Sequence, residues 1–221
     1  MKNLFVISVF FALFGCAAEK YTYLPDLEKM NTALQEQGCT SIFPEGEWQF
    51  VHSIDFTRGS SGGTTVIGIT TLSADTITSA LVTVEGFTLF EAVFFEDGSF
   101  RVERAVPPFN SRSFAEGMME DIRAIFRLPS GTLARKGRLQ QGAAACRYSD
   151  THGRVTDILP NIDDCWQITS YTPDLIMDRS ITGRSCREHG STRIPEYLEL
   201  QTYGRTGYTL KMTLLRADRL Q

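Results

Sequence analysis

The sequence has no apolar run of about 20 residues, so no segment reads as a bilayer-spanning helix. Cations are in the minority: 22 Lys and Arg stand against 26 Asp and Glu, for a net charge of −4. A chain of that sign is not expected to build an extended basic surface along a nucleic-acid backbone, and nucleic acid is not expected as a partner. Catalytic motifs are missing too. Gly59-Ser60-Ser61-Gly62 has the wrong spacing for a nucleophile elbow, and there is neither a phosphate-cradling loop nor a dinucleotide fingerprint. The three histidines, His52, His152 and His189, are far apart. His52 falls on an apolar strand face as a core or rim residue, and His152 falls in a solvated turn. The acidic pairs Glu96-Asp97 and Asp163-Asp164 fall in turns, where Asp serves the backbone. No residue fills a catalytic role, no cofactor motif is present, and the chain reads as non-enzymatic. Internal repeats and low-complexity tracts are absent. What remains is an ordinary globular composition: 221 residues, 42% hydrophobic, 22% charged and 11% aromatic.

The amino end carries an address. Lys2 precedes an uncharged run from Leu4 to Phe14, too short to span a membrane and suited to the apolar part of a signal peptide. It closes in Leu13-Phe14-Gly15-Cys16, which resembles the bacterial lipoprotein signal, although Phe14 is bulkier than that pattern prefers. The resemblance implies cleavage before Cys16 and acylation of its thiol. Ordinary secretion with cleavage after Ala18 and an uncleaved anchor are the competing readings. Each buried methylene contributes about 0.8 kcal/mol, so the three acyl chains implied would moor Cys16 almost permanently. Ala17, rather than Asp, follows the cysteine, which in the enterobacterial sorting habit implies the outer membrane, facing the periplasm.

Four further cysteines, Cys39, Cys146, Cys165 and Cys186, form an even set in an exported chain and read as two disulfides of open connectivity. Zinc at Cys186-Arg187-Glu188-His189 and four buried thiols are the alternatives.

Three segments organise the chain: a signal peptide over 1–15, a lipidated tether with a short helix over 16–45, and a single domain over 46–221. The short helix spans 25–37, with Leu27, Met30 and Leu34 on one face and Gly38 as its stop. From Gly46 the pattern turns to period two. Trp48, Phe50, His52, Ile54 and Phe56 share one side of a first strand. Further strands fall at 65–72, 77–84, 87–95 and 99–106, with a hairpin signal at Asp97-Gly98. A helix over 113–128 follows, with Ser113 and Glu116 as a capping box and Phe114, Met118, Ile122 and Ile125 or Phe126 as its stripe. Strands return at 143–149, 154–159, 165–171, 175–181, 195–202 and 208–215.

This predicts a mainly β fold: an antiparallel half-barrel or barrel of about 10–11 strands curled around one inserted helix. One helix about 24 Å long cannot blanket so many strands, so the sheet must curl round it. Three stretches resemble the outer-membrane lipoprotein receptor and carrier superfamily, LolB-like, with the related LolA and LppX-type proteins. They are Val84-Glu85-Gly86-Phe87-Thr88-Leu89-Phe90, Pro107-Pro108 leading to the helix Ala115–Phe126, and Arg193-Ile194-Pro195-Glu196-Tyr197-Leu198-Glu199-Leu200 with Gly207-Tyr208-Thr209-Leu210. The resemblance covers roughly 46–215 and is closest to a lipoprotein branch with members in aryl-polyene lipid gene clusters. Its usual members lack the four mature cysteines. It implies a hydrophobic cavity that receives an acyl chain, from a lipid or a lipoprotein, and no catalysis. Phe87, Leu89, Phe90, Phe94, Phe95, Phe114, Met118 and Ile122 are the candidate lining. The competing expectation is a structural lipoprotein whose barrel is filled and whose outside docks another envelope protein.

Overall fold

The computed structural model describes residues 22–29, 37–59, 63–162, 165–189, 192–204 and 207–220. The signal peptide, Cys16 and Asp163-Asp164 lie outside the described residues. Twelve strands and two helices follow one another: α1 (Gln37–Thr40), β1 (Trp48–Thr57), β2 (Thr64–Leu72), β3 (Thr76–Val82), β4 (Thr88–Phe95), β5 (Phe100–Ala105), α2 (Arg112–Phe126), β6 (Thr132–Arg138), β7 (Ala144–Ser149), β8 (Val155–Ile162), β9 (Cys165–Tyr171), β10 (Met177–His189), β11 (Thr192–Thr202) and β12 (Thr209–Arg219).

All twelve strands join one antiparallel sheet in the order β5-β4-β3-β2-β1-β12-β11-β10-β9-β8-β7-β6. The first and last strands therefore pair at its centre, with Trp48 opposite Arg219 and Thr57 opposite Thr209. Two meanders run outward from that seam, and α2 carries the chain from one edge strand, β5, to the other, β6. The sheet stays open rather than closing into a barrel, a half-barrel with α2 across its inner face.

The inserted helix packs on that face because its apolar residues recur every three to four positions. Ala115, Met119, Ile125 and Phe126 are buried. The expected stripe is turned by about one residue, which leaves Phe114 and Met118 half-buried. Ser111, not Ser113, caps the helix by accepting from the N–H of Phe114 at 3.2 Å. Glu116 meets Arg112 one turn back at 2.7 Å instead of closing a capping box. Ala115 and Met119 pack with Val66, Leu81, Phe90 and Ala92, whereas Ile125 and Phe126 pack with Phe50, Trp166, Ile168 and Leu198. One helix thus ties together the cores of both meanders.

β6 was not among the expected strands. Its Leu133 is followed by Ala134-Arg135-Lys136-Gly137-Arg138, with no apolar alternation to read. Charge of that kind protects an edge strand from pairing with another molecule.

The amino-terminal segment differs from expectation as well. Residues 22–29 are extended, not helical, and bridge the sheet at Tyr23–Ile176 and Glu28–Arg138. Residues 30–36 lie outside the described residues, and Gly38 sits inside α1 rather than ending a helix. Glu28 and Arg138 exchange backbone hydrogen bonds of 2.9 and 3.0 Å, which covers one end of the β6 edge. Leu27 is buried against Leu139, Ala145 and Leu159 on the sheet's outer face. Arg147 holds the strap down: its guanidinium grips Asp157 with two 2.7 Å bonds and donates to the Pro25 carbonyl at 2.7 Å. The chain then reaches the inner face, where Cys39 is bonded to Cys146. Cys165 and Cys186 form the second disulfide, between β9 and β10. No cysteine of the four is left for zinc, and the His189 ring stands edge-on to Trp48 at 6.1 Å.

Candidate functional site

The lining candidates divide by strand parity. On β4, Phe90, Ala92 and Phe94 face inward, opposite Leu81, Ser79 and Ile77 of β3. Period two alone would send Leu89 outward. A bulge between Leu81 and Val82 gives β4 one extra residue there, so Leu89 packs against the same cluster as Phe90. Phe94, Phe114, Met118 and Ile122 join it. Six of the eight expected residues therefore come together in one cluster. Phe95 lies outside it, under the guanidinium of Arg101 at 5.7 Å. Phe87 is 71% exposed, at the turn between β3 and β4.

Little space is left under the last turn of α2. Among Phe50, His52, Ile125, Phe126, Trp166 and Leu198 the remaining space is about 20 Å³, room for about one water. A larger space opens at the β5 edge. A groove of about 550 Å³ lies between β5 and the start of α2, within the range of ligand pockets. It exists because β5 has no neighbour beyond it, while Val106 to Asn110 carry the chain away before Ser111 starts the helix. Phe100, Val102 and Ala105 form its floor, since they pair with the inward-facing Phe94, Ala92 and Phe90. A bulge between Glu91 and Ala92 keeps Val102 and Ala105 on one side although three positions separate them. Phe109 lines the groove and is backed by an edge-to-face aromatic row: Phe109 on Phe114 at 5.1 Å, and Phe114 on Phe90 at 5.8 Å. The rim is polar, with Ser99, Asn110, Ser111 and Arg112. Arg112 is already paired with Glu116, so the rim offers little uncompensated charge.

No family model matches the chain, and no curated protein matches it. Solved structures do. The LolA superfamily protein NE2245 from Nitrosomonas europaea superposes with a TM-score of 0.57 over 84% of this chain and 91% of that one, at 7% identity. The chain has a LolA-like fold. A domain from Vibrio parahaemolyticus named for outer membrane lipoprotein sorting scores 0.47 at 6% identity, covering 78% of this chain and 85% of its own. A DUF1329 family protein from Desulfovibrio piger scores 0.45 at 10% identity, covering 83% and 88%. The LolA-like fold rests on the first of these and says how the strands and helix are arranged, not what they hold.

Two buried ionisable groups lie where this LolA-like sheet meets its helix, and the sequence pattern identified only one. His52 is 2% exposed beside Phe50 and Phe126, and burial lowers its pKa to about 4. Asp121, on α2, went unnoticed because a lone acid in a helix looks solvated. It is 3% exposed, 3.0 Å from the Arg179 guanidinium, and accepts from the Tyr208 hydroxyl. Burial raises its pKa to about 6, against the pull of Arg179 and Tyr208. The two groups act oppositely on stability. His52 stays neutral in the fold while the unfolded chain takes up a proton near its ordinary 6.5, so stability is lost as pH falls from 6.5 towards 4. Asp121 binds its proton in the fold before the unfolded chain does, so stability is regained as pH falls from about 6 towards 3.8. Urea titrations of His52→Leu and Asp121→Asn from pH 7 to 4 separate them. Wild type loses roughly 3 kcal/mol relative to the first and gains a similar amount relative to the second; parallel curves would contradict both assignments.

Proposed function

We propose that this protein is a non-catalytic, lipid-anchored envelope protein that binds an acyl chain, from a lipid or a lipoprotein, in the groove between β5 and α2. The observation that carries this reading is the groove itself, with an apolar floor of Phe100, Val102 and Ala105 and Phe109 and Ala115 beside it. A polymethylene chain gains by leaving water and asks for no polar partner. Leu89, Phe90, Phe94, Phe114, Met118 and Ile122 belong to the packed cluster behind it and do not line it. The LolA-like fold supports the reading, since its neighbour belongs to the LolA superfamily. Cys16 is the proposed anchor and the outer membrane, facing the periplasm, the proposed location; the strap 22–29 and α1 pack with the proposed domain 46–221 as one folded unit. The little space left under the last turn of α2 favours a second reading, a scaffold that docks another envelope protein.

The chain from Ala17 onward, exported unlipidated to a periplasm and weighed by native mass spectrometry, is expected to carry a lipid or to take up a fluorescent fatty acid. Repeated absence of both favours the scaffold. In the full chain, Cys16→Ser is expected to abolish incorporation of labelled palmitate; persistence of the label would remove the anchor from the proposal.

A further inference from the structure

A second cleft lies at the other end of α2, where its last turns face β7 to β10. It encloses about 80 Å³, with Arg123, Arg127, Arg154 and Arg179 on its walls beside the hydroxyls of Thr156 and Ser170. Glu120 and Asp150 are the acids on the same walls. Compensation of the four guanidinium groups within the protein is incomplete. Arg154 pairs with Asp178 at 3.1 Å, and Arg179 with Asp121 at 3.0 Å and more distantly with Glu120 at 3.9 Å. Asp150 is spent on its own turn: its Oδ1 accepts from the N–H groups of His152 and Arg154 at 2.8 and 2.9 Å. Among the described residues Arg127 donates to the carbonyl oxygens of Ser73 and Thr76. Arg123 lies over the Phe94 ring at 5.9 Å, with no acid partner among the described residues. The Nε of Arg179 is buried with no acceptor among the described residues. The cleft walls thus carry four guanidinium groups against two acids, although one oxygen each of the neighbouring Asp121 and Asp178 is also buried without a hydrogen bond, and a dry unpaired donor is costly.

We propose that this cleft binds a phosphate-type oxyanion, a free phosphate or the phosphate of a lipid headgroup. Guanidinium groups match two phosphate oxygens at once. Thr156 and Ser170, whose hydroxyls are 3.5 Å apart, supply donors for another. The carboxyl end of a helix repels anions, so the arginines must supply the whole attraction. This inference does not rest on the groove, which opens at the other end of α2, a helix of fifteen residues and about 22 Å in length.

Inorganic phosphate titrated calorimetrically at constant ionic strength into the exported, unlipidated chain from Ala17 onward is expected to bind saturably. Arg123→Gln weakens that binding at least about tenfold. Arg179→Gln would also strip Asp121 of its partner, so Ser170→Ala, expected to weaken binding severalfold, is the second variant. Arg101→Gln, on the outer face, changes nothing. Co-sedimentation with phosphatidylcholine vesicles containing phosphatidic acid distinguishes the sources: binding that needs phosphatidic acid and is lost in Arg123→Gln assigns a headgroup. The proposal is overturned if wild type binds neither probe, or if both cleft variants bind as wild type does.

Discussion

Replacing Cys39 and Cys146 together by serine is expected to lower unfolding free energy by about 2–5 kcal/mol in urea. The size follows from the loop this bond closes, 107 residues in sequence, which the unfolded chain can open only when the link is cut. Its position adds to the loss. Cys39 brings α1 into the core, and Ile42 and Phe43 follow it into the cluster around Phe50 and Trp166. The same double replacement at Cys165 and Cys186 is expected to cost less, because that bond spans 21 residues between adjacent strands that already pair through Gly183 and Trp166. A urea midpoint unmoved in the first variant, or moved further in the second, would contradict this ranking.

Val102→Asp is expected to weaken fatty-acid uptake at least about tenfold while the urea midpoint stays within experimental error of wild type. Val102 lies on the groove floor yet is 38% exposed, so a carboxylate there keeps its water until an acyl chain arrives to displace it. Val102→Trp tests the same space by filling it, and its expected effect is in the same direction. Val84→Asp, on the 70% exposed side chain in the turn between β3 and β4, is the control and leaves uptake unchanged. Equal uptake by Val102→Asp and wild type would move the acyl site out of this groove.

Local patterning carried much of the fold. Trp48, Phe50 and Ile54 alternate with wetter neighbours because a strand buries every second residue, and β1 has the expected extent through Thr57. Asp97-Gly98 turns as it reads: Gly98 has φ of 85°, and the Asp97 carboxylate accepts from the Ser99 N–H at 2.8 Å. The same logic failed wherever a segment's partner is distant. β6 is charged because it is an edge, and residues 22–29 are extended because Arg147, more than a hundred positions on, holds Pro25. Parity also limits the candidate site. Alternation along β4 separates Phe95 from Phe94, while a bulge returns Leu89 to the inner face, and bulges leave no clear mark in composition.

The sequence by itself determined the class of fold, the inserted helix between two runs of strands and an even set of cysteines beyond Cys16, since each depends on neighbours along the chain. Tertiary structure alone decided that β1 meets β12, that Cys39 bonds Cys146, and that space opens beside β5. It also placed Asp121 and four arginines around the end of α2. Those outcomes depend on which surfaces meet across the sheet, and closing such long loops is favoured only by the packing that results.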